Sequence, residues 1–203
     1  MCLEKTIERT FVMIKPDGVM RGLIGEIVQR IEKTGLKIVG MKMVAASKKQ
    51  VEDFYPNTKD WFETVGMKTT KAYQEAGLDV KKTFGTTDLE KIGKIIKGWL
   101  IDFITSGPVV AMVIEGNSAV NKVRNIVGYT DPLSANAGTI RGDLTSDSIA
   151  LGNVMARAAV NLIHASSSQK EAEHEISVFF DQTEIVSYKR VDEDLILGRF
   201  LKK

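Results

Sequence analysis

The chain has 203 residues, 43% hydrophobic and 27% charged, which is ordinary for a folded globular protein and enough for one sizeable core. Lys and Arg number 28 against 26 Asp and Glu, so the overall charge of +2 leaves no footprint for nucleic acid or an anionic membrane, and any anion site must come from local convergence. The only cysteine, Cys2, excludes an intramolecular disulfide, residues 1–10 lack a signal-peptide pattern, and the longest apolar run, Val109 to Ile114, is far short of a membrane span, so a cytoplasmic protein is expected.

Residues 10–15 (TFVMIK) predict a short buried strand that stops at the turn signal Pro16-Asp17-Gly18, leaving Lys15 at a strand end. Met20, Leu23, Ile24, Ile27, Val28 and Ile31 then follow helical spacing, with Gly35 where a C-terminal cap belongs. Lys37 to Ser47 predicts a second strand, and a short helix from about Lys48 carries Tyr55 and ends against Pro56. The region 57–105 predicts two helices, Trp61 to Ala76 and one opened by Asp88 as N-cap, with Ile92, Ile95, Ile96, Trp99, Leu100 and Phe103 on one face. Ser106-Gly107-Pro108 breaks that pattern.

Val109 to Ile114 is a continuous apolar run, the mark of a strand buried on both faces, and a helix from Asn117 to Val127 is expected after it. Residues 128–146 are rich in turn formers and lack periodicity, as functional loops often are. Ser148 to Ile163 predicts a helix with Leu151, Met155, Ala158 and Leu162 inward. Ser168-Gln169-Lys170-Glu171 is a capping box opening a short helix, and Ile176 to Phe180 reads as a last strand. Strands at 10–15, 37–46, 109–114 and 176–180 alternating with helices imply an α/β (α+β) sandwich: a four-stranded antiparallel sheet of ferredoxin-like βαββαβ topology, with helices packed on a face and two added helical segments.

The sequence holds none of the Gly-rich phosphate loops, no protein-kinase catalytic loop, and no zinc-ligand spacing, since its only histidines are His164 and His174. His164 lies where the predicted apolar helix meets polar residues, a border at which a reactive base can be held; taken alone it reads first as a hydrogen-bonded histidine without chemistry. His174, among Glu171, Glu173 and Glu175, reads as a solvated helix residue. Lys15, Arg124, Thr130 and Arg141 are donors of the kind that spread the charge of a polyphosphate, each unremarkable singly.

Glu8-Arg9-Thr10-Phe11-Val12-Met13-Ile14-Lys15-Pro16-Asp17-Gly18-Val19 closely resembles the N-terminal segment of nucleoside diphosphate kinases. Arg21 to Glu26, Ser106 to Val113, Ala137 to Asp143 and Asn161 to Ser166 are similar to further family blocks in the same order. Together with the residues between them they cover most of the chain outside 57–97 and 144–158, where two insertions resemble those of longer, archaeal-type members of a single-domain family.

The resemblance implies transfer of the terminal phosphate of a nucleoside triphosphate to a nucleoside diphosphate, by a ping-pong route through a phosphohistidine. It makes His164 the phosphate acceptor, Glu175 the carboxylate orienting its ring through the second nitrogen, and Ser166 the support of Glu175. It assigns Lys15 and Asn161 to the ribose 3′-hydroxyl and phosphates; Tyr55, Arg124, Thr130 and Arg141 to the phosphates; and Gly138 to the shape of the loop. Mg2+ is expected on the nucleotide phosphates rather than on a protein cage. A homo-oligomer is implied, a hexamer before a tetramer. Counting back from Ser106-Gly107-Pro108 puts Ile96 at the family's base-stacking position, where the helix from Asp88 is expected to lid the base and 144–158 to close the other side.

Ala137, Ala165 and Ser167 depart from the proline, glycine and acid that many relatives carry. Two rival readings are a nucleotide-binding scaffold that lost turnover and an RNA-binding sheet. The filled catalytic positions argue against the first; the near-zero charge and the lack of aromatics in Val109 to Ile114 argue against the second.

Overall fold

Period-two alternation along two strands organises the molecule. In β1 (Ile7–Ile14), Phe11 and Met13 point to one face of the sheet and Val12 and Ile14 to the other, and in β3 (Val109–Asn117) Val109, Ala111 and Val113 alternate in the same way with Val110, Met112 and Ile114. All ten are almost fully buried, as strands covered on both faces require. With β2 (Lys37–Val44) and β4 (Ile163–Ala165) they form an antiparallel sheet in the order β2-β3-β1-β4. The computed structural model describes residues 6–201; Cys2 lies outside them.

Helices cover both faces of this sheet, not one. On the Phe11 and Met13 side lie α3 (Lys48–Phe54), α6 (Leu89–Thr105) and α10 (Gln169–Phe179), sharing a core that includes Val51, Phe54, Ile101, Ile104, Ile176 and Phe179. On the Val12 and Ile14 side lie α2 (Ile24–Glu32), α7 (Ala119–Val127) and the short α8 (Ile140–Leu144), through Ile27, Ile31, Val123, Val127 and Ile140. The Pro16-Asp17-Gly18 turn is the first turn of a five-residue helix, α1 (Pro16–Met20), with proline at a position whose missing N–H costs nothing.

The last strand is not where the sequence predicts it. Ile176 to Phe179 is helical in α10, where Ala172, Glu175, Ile176 and Phe179 form a buried stripe at i, i+3, i+4 and i+7. Ser168 caps that helix, accepting from Glu171 N–H at 3.1 Å, but the Glu171 carboxylate bonds the Ser167 N–H instead of completing the box. The predicted helix 148–163 is also corrected: α9 (Ile149–Val154) ends after six residues, Ala156 takes φ 51°, and Leu151 and Met155 are exposed. Asp147 diverts the chain by accepting from Val160 N–H at 2.7 Å and pairing with Arg157 at 2.7 Å. His164 therefore sits in β4, not at a helix end. The helix expected from Asn117 starts at Ala119, because Asn117 still pairs with Ile7.

The segment 57–97 builds a small core of its own. Helix α4 (Lys59–Glu75), the five-residue α5 (Val80–Phe84) and α6 enclose Tyr73, Val80, Ile92 and Ile96. Glycines bring α4 and α6 together: a Cβ on Gly66 would lie 2.2 Å from Leu89 O, and one on Gly93 2.2 Å from Phe62 O. Asp88 caps α6 as expected, accepting from Lys91 N–H at 3.0 Å. No helix among the described residues is long and apolar enough to cross a membrane.

Candidate active site

His164 stands opposite Met13 in the β1–β4 pairing, so its side chain shares the face that carries Phe11 and Met13. Phe54 packs edge-on to its ring at 4.9 Å and Phe11 lies at 6.2 Å. Nε2 is buried, 2.7 Å from Glu175 Oε1 though off the axis of a linear N–H···O bond, and the carboxylate is its polar neighbour. Burial of Nε2 leaves Nδ1 as the ring nitrogen for chemistry in the cavity that His164 lines.

Glu175 reaches His164 from α10, where it is 2% exposed. Its other oxygen accepts from Ser166 Oγ at 2.6 Å, and Ser166 Oγ in turn accepts from Phe11 N–H at 3.2 Å. The imidazole, the carboxylate and the hydroxyl are thus tied to the backbone of β1. A buried carboxylate is costly unless so paired.

Three cations converge beside this chain of contacts. Lys15, 5% exposed at the end of β1, donates to Asn161 Oδ1 at 2.7 Å, while Asn161 Nδ2 donates to Thr130 O at 2.8 Å. Burial, and next the charge of Arg141, lower the Lys15 ammonium to a pKa of about 7, against a smaller opposing pull from Asp17. Burial and then Arg124 lower Arg141 to about 10, again with Asp17 opposing. Asp17 is the carboxylate acting on both Lys15 and Arg141, too little to balance two buried cations with Arg124 beside them. Buried ammonium and guanidinium groups so arranged favour a bound anion.

Arg141 also shapes the loop it borders. Its Nε donates to Asn161 O, Nη1 to Gly128 O and Tyr129 O at 3.0 and 3.2 Å, and Nη2 to Ile163 O. Those four bonds leave one of the five guanidinium N–H groups for a ligand. Gly138, in the same loop, takes φ 88°, a region open to glycine at no steric cost.

Lys15, Tyr55, Ile96, Arg124, Thr130, Arg141, Asn161, His164 and Glu175, all singled out from sequence, line one cavity of about 630 Å³. Ser166 stands behind it, buried against Glu175. Tyr55 is 8% exposed, and burial and then the Glu175 charge push its phenol well above the usual range, so it is a neutral donor. Ile96 both lines the cavity and packs with Tyr73, Val80 and Ile92. His174 is not part of the cavity; its Nε2 is 2.8 Å from Asp53 O.

Several residues of the site are not singled out for it by the sequence. Asp17 Oδ2 accepts from Leu162 N–H at 2.9 Å, and the Leu162 carbonyl accepts from Lys15 N–H at 2.8 Å. Lys97 donates to the carbonyls of Tyr55 at 3.0 Å and of Glu52 and Pro56 at 3.3 Å, capping the C-terminus of α3. Trp61 and Thr69 of α4 and Asn153 of α9 also form cavity wall. Among the described residues no three His, Cys, Asp or Glu side chains are grouped to hold a metal ion.

Comparison with known proteins agrees with this geometry. The family model described as nucleoside diphosphate kinase matches residues 8–75 and 80–185. A nucleoside diphosphate kinase from Pyrobaculum aerophilum is 49% identical over 180 residues, spanning 89% of this chain and 98% of that protein. The crystal structure of an NDP kinase from the same organism superposes with a TM-score of 0.86 at 48% identity, covering 89% of this chain and all of that one. A nucleoside-diphosphate kinase from Borrelia burgdorferi, described as a transition-state mimic with vanadate and ADP bound, gives 0.74 at 32% identity, over 94% and 97% of the two chains. The chain therefore belongs to the nucleoside diphosphate kinase family, enzymes that transfer the terminal phosphate of a nucleoside triphosphate to a nucleoside diphosphate.

Proposed function

We propose that His164 carries the phosphate between the two half-reactions. The observation that supports this most strongly is the pairing of a buried Nε2 with Glu175 in a ring that borders a cationic cavity. With the Nε2 proton turned to the carboxylate, Nδ1 keeps its lone pair and attacks the terminal phosphorus of the triphosphate. The bond from that phosphorus to the bridging oxygen breaks, and the nucleoside diphosphate leaves with the electron pair. Positive charge developing on the ring is met by Glu175. A terminal oxygen of an acceptor diphosphate then attacks the phosphohistidine, the P–N bond breaks, and neutral His164 is regenerated.

Transfer of this kind needs alignment and charge stabilisation more than proton removal. Lys15 and Asn161 hold the ribose 3′-hydroxyl and the phosphates, Arg124, Thr130 and Tyr55 contact the phosphates, and Arg141 adds its remaining N–H and its charge. Mg2+ enters with the nucleotide: its fit is to phosphate oxygens, since the wall offers no carboxylate cage, and once bound it offsets phosphate charge. ATP and GDP are among the nucleotides expected to exchange through this site.

The chain acts as one domain, its additions near 57–97 and 144–158 forming walls of the site. It works in the cytoplasm as a homo-oligomer, a hexamer before a tetramer; exposed Met41 and Met43 on the edge strand β2 support such an association. Incubation with γ-labelled ATP tests the proposal. Acid-labile label on the protein that chases onto added GDP is the expected result; turnover with no labelled protein would mean direct transfer between two bound nucleotides.

A further inference from the structure

One face of α4 borders the cavity: Trp61, Thr64, Val65, Lys68 and Thr69, at i, i+3, i+4, i+7 and i+8, all line it. Lys68 is the cation of that face. It is exposed, and among the described residues it makes no ion pair or hydrogen bond, whereas Lys59 and Lys71 of the same helix pair with Glu63 and Glu75 four residues on. The positions within reach of Lys68 along the helix hold Thr64, Val65, Lys71 and Ala72, none of them acidic. The carboxylates that line the cavity are already engaged, Glu171 with Ser167 and Glu175 with Ser166 and His164. An accessible ammonium on the cavity wall is thus left for a ligand.

We propose that Lys68 is a specificity-determining residue, donating to O6 and N7 of guanine and so favouring guanine over adenine nucleotides. The inference deepens the reading of the cavity as the nucleotide site, on which it rests. With the phosphates near His164, Lys15 and Arg141, Trp61 marks the phosphate side of α4, because its ring meets that of Tyr55 at 5.9 Å. Lys68 lies seven residues further, about 10 Å along the helix axis, close to the span of a nucleoside from its 5′-oxygen to the far edge of its base. The other cations of the cavity belong to other elements, Lys15 at the end of β1, Arg124 in α7 and Arg141 in α8. An ammonium donates hydrogen bonds and accepts none, so it favours an edge with two acceptors. Guanine offers N7 and O6 side by side, whereas adenine sets an amino donor beside its N7. A flexible, exposed lysine turns aside into solvent when adenine is bound, so other bases enter with less affinity and are not excluded.

The test is the calorimetric affinity of the whole protein, and of Lys68→Met and Lys68→Arg, for GDP, ADP and inosine diphosphate, which keeps O6 and N7 but lacks the guanine amino group. The unmodified protein should bind GDP and inosine diphosphate about fivefold more tightly than ADP, the low end for a two-acceptor base contact because Lys68 is exposed. Lys68→Met should bind all three alike, with its ADP affinity within about twofold of the unmodified protein's, and Lys68→Arg should keep the preference. Melting temperatures should agree, since an exposed side chain without partners has been changed. Equal weakening of all three nucleotides in Lys68→Met would move the contact to the ribose or phosphates and overturn the proposal. Unchanged affinities in that variant, no preference in the unmodified protein, or a preference for GDP over inosine diphosphate would overturn it as well. Failure of the unmodified protein to bind any of the three would count against the nucleotide site itself, and is seen before any variant is made.

Discussion

The Asp17 carboxylate holds the backbone N–H of Leu162 at 2.9 Å, and Leu162 is a fully buried residue with φ 66°. A branched side chain in the left-handed region is strained by about 1–3 kcal/mol and persists only where surrounding bonds enforce it. Asp17 supplies one such bond and the Lys15 N–H a second, at 2.8 Å to the Leu162 carbonyl. The bend lies between Asn161 and His164, so its strain sets the direction of both. Asp17→Ala should lower stability by about 2 kcal/mol and phosphate exchange by tenfold or more, while Asp17→Asn, which keeps an acceptor, should lose less stability. Thermal melts beside turnover assays check this; an Asp17→Ala protein equal to the parent in both would remove the bend from the account.

Lys15 gives a pH signature. Its pKa of about 7 in the free protein lies below the ordinary lysine value of 10.5, so between those limits the unfolded chain binds more protons and this group's contribution to stability rises with pH. A bound polyphosphate stabilises the ammonium and pulls its pKa back up. Nucleotide binding at pH 8 should therefore take up close to one proton at Lys15, and that part of the uptake should vanish in Lys15→Met. Calorimetry in buffers of differing ionisation enthalpy measures it; the same uptake by both proteins would place the proton elsewhere.

Lys97 is a positioning residue. It joins α6 to the C-terminus of α3, where Phe54 packs on His164 and Tyr55 lines the cavity. Burial lowers its pKa, against opposing pulls from the Glu52 and Asp53 charges. Lys97→Met should leave the fold intact, since the stem's apolar packing is kept. It should also reduce the turnover number about tenfold by loosening Tyr55 and the His164 ring, and shift the near-ultraviolet circular dichroism of the site aromatics. A reduced melting temperature with unchanged turnover and spectrum would assign Lys97 to packing alone.

Much of this fold is legible in the sequence because periodicity carries it. The apolar run of β1 and the helical period of α6 announce themselves, although Ile95 of the face expected in α6 is exposed and Ile101 and Ile104 are buried beside it. β4 does not: three residues are too few for a period, and Leu151, Met155, Ala158 and Leu162 mimic a helix that Asp147 and Ala156 interrupt. The site is legible only through the family resemblance, since Lys15 and Asn161, bonded here, are 146 positions apart and no spacing joins them. Asp17 reads in the sequence as an ordinary turn residue. Lys97 did leave a trace, a lysine one position past Ile96 on the inward side of α6, but a lone charge there reads as solvated until its carbonyl partners are seen.

Glu175→Gln should separate orientation from binding. The amide keeps the shape but cannot balance charge on the ring, so turnover should fall on the order of a hundredfold while affinity for GDP is retained. Turnover equal to the parent would show that Ser166 and the aromatic packing suffice to hold His164.

The central claim is that phosphate resides on Nδ1 of His164. Phosphorus and proton NMR of the protein phosphorylated by ATP, with His164→Ala and His174→Ala beside it, tests it most directly. The account predicts a single phosphohistidine signal of the Nδ1 type in the parent and in His174→Ala, and none in His164→Ala. A signal of the Nε2 type, or one that survives in His164→Ala, would contradict it.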